Sequence, residues 1–124
     1  MQILDGLKSA VKQAGKDTTR ECYYVQESEP GKFEAHCIVG TVLADLGAPL
    51  STLHAYEDVN AQGIRDRRPN GAAEGTGPEL PFTVEDAGWR LLLEAQYVQD
   101  DGAAWDRALS AAEHEARMLN VLHD

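Results

Sequence analysis

Residues 36–47 read "HCIVGTVLADLG". A histidine and a cysteine stand where an apolar helix begins, and how that helix packs decides the fold. Ile38, Val39, Val42, Leu43 and Leu46 recur at helical spacing, which predicts a buried helix over 35–46 closed by Gly47. Cys37 and Gly40 are small residues at i and i+3, so another backbone can approach closely on that side. Pro49 suits the first turn of a second short helix over about 49–58, anchored by Leu50, Leu53 and Val59.

Upstream, Ile3, Leu4, Leu7, Val11 and Ala14 share one helical face and Gly15 offers a stop, while Lys8, Lys12 and Lys16 lie on a solvated face. Cys22-Tyr23-Tyr24-Val25 is β-prone, and Glu29-Pro30-Gly31-Lys32 signals a turn. A strand is expected over about 21–27, pairing with a short segment at 32–35. Downstream, residues 65–81 are rich in glycine and proline and nearly free of apolar side chains, the pattern of an extended or mobile loop. Thr83 reads as the N-cap of the next helix, with Glu85 and Asp86 in its first turn. Val84, Gly88, Leu91, Leu92, Ala95 and Val98 mark its inward face, and Trp89, Leu93 and Tyr97 a second stripe that suits either another core contact or a homodimer interface. Asp100–Gly102 interrupts the pattern before a final helix carrying Trp105, Ala108, Leu109, Ala112, Ala116 and Leu119. So short a connection makes the last two helices antiparallel neighbours. The fold class is therefore mainly α, or α+β with a minor β element. The expected form is a compact helical bundle of four to five helices in a single domain over 1–124, with a short strand or hairpin near 21–35 and a C-terminal antiparallel helical hairpin.

Composition agrees with a globular chain: 124 residues, 43% hydrophobic and 26% charged. No apolar run approaches the roughly 18–20 residues of a membrane span. The amino end has helical periodicity instead of a secretory apolar block, so a cytoplasmic location is expected. Cys22 and Cys37 then read as free thiols and not as a disulfide. The net charge of -10 argues against nucleic-acid binding. It is uneven, with -3 over residues 1–78 and -7 over 79–124. The acidic third is either a solubilising helix face or a surface that docks on a basic partner or imitates DNA.

Five arrangements invite chemistry. Cys37 at a helix N-terminus is a reactive-thiol candidate, with His54 or His123 as base, against the reading of plain core packing. Cys22, His36, Cys37 and His54 have the elements for zinc but lack the paired spacing that preorganises a site, so no metal is expected. The carboxylate pairs Glu57-Asp58, Glu85-Asp86 and Asp100-Asp101 lack the surroundings of acid–base work. "NGAAEGTG" is no phosphate loop, and nothing calls for a cofactor. Arg65, Arg67 and Arg68 form the one basic cluster, a phosphate or acidic-partner grip or else a solvated loop.

Two stretches carry a resemblance. Cys37, Val39, Gly40, Leu46, Gly47 and Pro49, followed by Gln96, Gln99, Asp100, Gly102 and Trp105, fit the C-[IV]-V-G…L-G-[VA]-P and Q-x-x-Q-D-x-G-x-x-W segments. In these the chain resembles short uncharacterised proteins encoded by actinobacterial phages, over about half its length. The resemblance implies an accessory protein acting in a host bacterial cytoplasm, and it brings no reaction or catalytic residues. Gln96, Gln99, Asp100 and Trp105 read as a partner-binding group or as a lock that satisfies terminal backbone groups. The leading expectation is a non-enzymatic protein that binds and modulates a host protein. The alternatives are a nucleotide-signal binder using Arg65–Arg68, and a cysteine-dependent enzyme using Cys37. A DNA-binding regulator ranks last, since no candidate recognition helix has a basic face.

Overall fold

The computed structural model describes residues 2–19, 23–30, 32–57 and 59–123. It is mainly helical, with six helices among the described residues, a two-stranded antiparallel sheet and a C-terminal helix pair packed together. In chain order these are α1 (Gln2–Ala14), β1 (Val25–Glu29), β2 (Lys32–Ala35), α2 (Ile38–Asp45), α3 (Leu50–His54), α4 (Ala61–Arg65), α5 (Asp86–Asp100) and α6 (Trp105–His123). Among the described residues no helix is long and apolar enough to cross a membrane.

Helix α2 is the hub. Ile38, Val39, Gly40, Val42 and Leu43 are all buried, so it is enclosed on nearly every side, packed against α1, α5 and β2. It begins three residues later than the periodicity predicts, because Ala35 ends β2 and Cys37 is the N-cap. His36 and Cys37 donate their backbone N–H groups to the carbonyls of Tyr24 and Tyr23, which extends the hairpin ladder to the start of the helix. Gly40 lies directly on that ladder. A Cβ added there would fall 2.8 Å from the carbonyl carbon and 2.9 Å from the Cα of Tyr24. The close backbone approach expected of Cys37 and Gly40 is thus made by Tyr24.

The strands pair in register Val25↔Ala35 to Glu29↔Lys32 with a bulge between Glu27 and Glu29. The first strand therefore starts later than the expected 21–27, and Cys22 and its pairing lie outside the described residues.

Helix ends follow their glycines. At α2, the N–H of Gly47 donates to Ala44 and that of Ala48 to Leu43, with Gly47 at φ 114. This is the paired closure that a left-handed residue just past a helix permits. The α5–α6 connection repeats it with Gly102 at φ 90, where Gly102 N–H donates to Gln99 and Ala103 N–H to Val98. The first amides of α6 are met by backbone carbonyls from the segment after α1, Trp105 by Thr18 and Asp106 by Lys16.

Two local readings need correcting. The expected helix over 49–58 is the shorter α3, after which Tyr56 is fully buried and Asn60 caps an additional one-turn helix, α4, by accepting from Gly63 N–H at 3.1 Å. Thr83 is not a cap. Helix α5 starts at Asp86 behind Glu85, which makes no side-chain cap bond. Val84 instead folds over Gly88, where a Cβ would meet its Cγ1 at 2.8 Å, and this packing holds the chain extended through Glu85.

Replacing Gly40 by Ala should destabilise the fold by about 2–3 kcal/mol or more, since backbone cannot move aside as a side chain does. Urea unfolding followed by far-UV circular dichroism measures this, and a loss below about 0.5 kcal/mol would contradict the packing.

Candidate functional site

The sequence-selected polar residues separate into an interior group and two surface groups. Inside, helices α2 and α4 present buried amide donors that water does not reach, and α5 answers both. Gln99 Oε1 accepts from Ile38 N–H at 2.6 Å, and Gln96 Oε1 accepts from Ala61 N–H at 2.7 Å. Gln96 Nε2 then donates to the Tyr24 hydroxyl at 2.9 Å, and that hydroxyl donates to the Val59 carbonyl. Glu57 Oε1 accepts from Val25 N–H at 3.1 Å. Gln96 and Gln99 therefore lock the amino ends of two other helices onto α5. Trp105 is fully buried beside them in the core, whereas Asp100 is exposed.

Cys37 belongs to this interior. It is 2% exposed, and its Sγ accepts from Gly40 N–H at 3.3 Å. Burial pushes the thiol up from 9.0 to about 12, which outweighs the lowering by the Gly40 and Val39 amides, while Glu57 and Asp100 push it further up. His54 is exposed and stacks on Phe33, with ring centroids 4.8 Å apart, and it makes no hydrogen bond to Cys37 among the described residues. The His123 side chain lies outside the described residues, as do Cys22 and Asp58. Among the described residues no three His, Cys, Asp or Glu side chains gather as a metal site.

The three arginines lie at the end of α4. Arg67 occupies the left-handed region at φ 52, with Arg67 N–H donating to Ile64 and Arg68 N–H to Gly63. This is the same helix closure that Gly47 and Gly102 make, here with an arginine in the glycine position. The Arg67 guanidinium donates to Gly77 O at 3.0 Å and pairs with Glu79 at 3.1 Å, Arg68 donates to Ala72 O, and Arg65 pairs with Asp86 at 3.1 Å. Residues 66–81 carry no helix or strand, yet these bonds, Gly75 N–H to Asp66 and Tyr56 Oη to Pro78 lace the segment to the body.

Among the described residues, three clefts lie along α5. One of about 430 Å³ is lined by Arg65, Arg67, Glu79, Phe82, Asp86 and Trp89 among others. A second, of about 270 Å³, shares Arg65, Asp86 and Trp89 and adds Gln62, Arg90 and Leu93. The third, about 450 Å³, lies at the α5–α6 turn between Tyr97, Val98, Asp100, Asp101, Ala103 and Arg107. The Trp89–Leu93–Tyr97 stripe thus runs from one cleft system to the other, passing from a buried Trp89 to a Tyr97 that is 54% exposed. Sequence reasoning missed the acids and aromatics facing the arginines, because Glu79, Phe82 and Asp86 reach them only through tertiary folding. Comparison of the chain with protein-family models, with curated proteins and with solved structures gives no match.

Gln99→Ala should cost about 2–3 kcal/mol in chemical unfolding, because it leaves the Ile38 amide buried without an acceptor; a loss under about 0.5 kcal/mol would refute the lock. In a Cys22→Ser background, Cys37 should react with a thiol reagent only as fast as the protein opens. The stability it contributes is complete below its unfolded value of 9.0 and is lost as pH rises toward about 12. Burial raises Tyr24 in the same sense. Alkaline unfolding monitored by circular dichroism checks this, and stability unchanged across that interval would contradict it.

Proposed function

We propose that this chain is a small, non-enzymatic, phage-type accessory protein that binds and modulates a host protein in the bacterial cytoplasm through its acidic C-terminal helices. The observation that carries the reading is the notch at the α5–α6 turn. Tyr97, 54% exposed, lines it together with Asp100 and Asp101. Arg107 supplies one cation against two carboxylates, so the notch is acidic on balance. An exposed aromatic face beside paired carboxylates suits a lysine or arginine side chain, which gains both cation–π and charge-assisted contacts. The surplus of acids over residues 79–124 steers a basic partner toward this end of the molecule. The segments that resemble actinobacterial phage proteins supply the expectation of a bacterial host.

The interior polar residues support a binding role in a further way. Gln96, Gln99, Tyr24 and Cys37 are buried and bonded to backbone groups inside the fold, so a surface partner would be met by other residues.

Affinity capture from actinobacterial lysate, followed by binding measurements on the purified partner, tests the proposal. The variants Tyr97→Ala and Asp101→Lys should each weaken binding at least about tenfold, and raised salt should weaken it further. A partner whose affinity ignores both substitutions and salt would overturn the acidic-notch assignment.

A further inference from the structure

The two clefts at the amino end of α5 share Arg65, Asp86 and Trp89 in their linings, and Arg65 and Asp86 form an ion pair at 3.1 Å. Three arginines, Arg65, Arg67 and Arg90, line this trough; Arg90 is paired with Glu115 at 3.0 Å, while Arg65 and Arg67 are paired with Asp86 and Glu79. The pairs are lopsided. The side chains of Arg65 and Arg67 are 41% and 40% exposed, whereas those of Asp86 and Glu79 are 82% and 76% exposed. The guanidiniums are more enclosed than their acids, which are largely exposed, and such a solvent-screened pair is weak and exchanges readily. Ile64, Leu80, Phe82 and Val84 add apolar side chains to the same lining. Arg67 is held in a backbone conformation that favours glycine, and at this point a side chain is kept where the closure itself needs none.

We propose that this trough is a binding site for a nucleoside monophosphate. The phosphate is taken by the planar forks of Arg65 and Arg67, displacing Asp86 and Glu79, and the base lies against Trp89 and Phe82. Planar bidentate donors match phosphate oxygens, and the volume suits a ligand of this size. The site is at the opposite end of α5 from the Tyr97 notch, and its test requires no host protein, so either assignment can fail without the other.

The full chain is titrated with AMP, GMP, CMP and UMP, each followed by calorimetry and tryptophan fluorescence. Adenosine and inorganic phosphate are run as separate arms. At least one monophosphate should saturate, with the nucleoside and the phosphate alone at least about tenfold weaker. Arg65→Ala should reduce affinity at least about tenfold, and Arg67→Gly, which suits the left-handed backbone, should do the same in a folded protein. Asp86→Asn, which frees Arg65, should raise affinity a few-fold, a gain that loss of folding cannot produce. Thermal melts accompany each variant. The proposal is overturned if no monophosphate saturates the wild type or Asp86→Asn up to about 10 mM, if inorganic phosphate binds as well as the nucleotide, or if both arginine variants bind unchanged.

Discussion

A helix that ends inside a protein must find partners for its first amides without help from water, and the amino end of α2 imposes this condition on the rest of the chain. Its answer uses a cysteine sulfur, a glutamine from α5 and a β-ladder that continues into the cap. Each piece constrains another. The ladder reaches the cap only because Gly40 has no side chain to collide with Tyr24, and Tyr24 is in turn fixed by Gln96 and the Val59 carbonyl. The hairpin, α2, α4 and α5 are therefore joined by one connected set of buried polar contacts, and the apolar core closes around it.

Cys37 illustrates how placement overrides residue type. The same helix-end amides that activate a thiol in an open site are here overcome by burial, which pushes the group up to about 12. The sulfur acts as a dry hydrogen-bond acceptor in the place that serine or aspartate takes at exposed helix ends.

The parts legible in the sequence are those whose cause is local and repeated. Helices α1, α2, α5 and α6 show an apolar period over two turns or more, and Gly47 and Gly102 announce their stops through a backbone geometry that needs no distant partner. Helix α4 has only Ala61 and Ile64 buried and carries Gly63 in its interior, where Val59 leaves no room for a Cβ, so its pattern is too short to see. Thr83 shows the reverse failure: a sound local capping signal lost to the packing of Val84 on Gly88. The glutamines were visible as a pair, but their partners lie 61 and 35 residues away in the chain. The arginine cluster was visible too, whereas the aromatic and acidic walls that make it a trough were not.

The distances along the chain differ widely among these contacts. The α5–α6 hairpin closes around a four-residue connection, while the Gln99–Ile38 and Gln96–Tyr24 bonds join residues 61 and 72 apart. Loop closure of that length is entropically costly and follows local contacts. A chain built this way makes its most specific contacts, the dry seam between α2 and α5, between segments far apart in sequence, so that seam carries a large loop-closure cost within the fold's polar network.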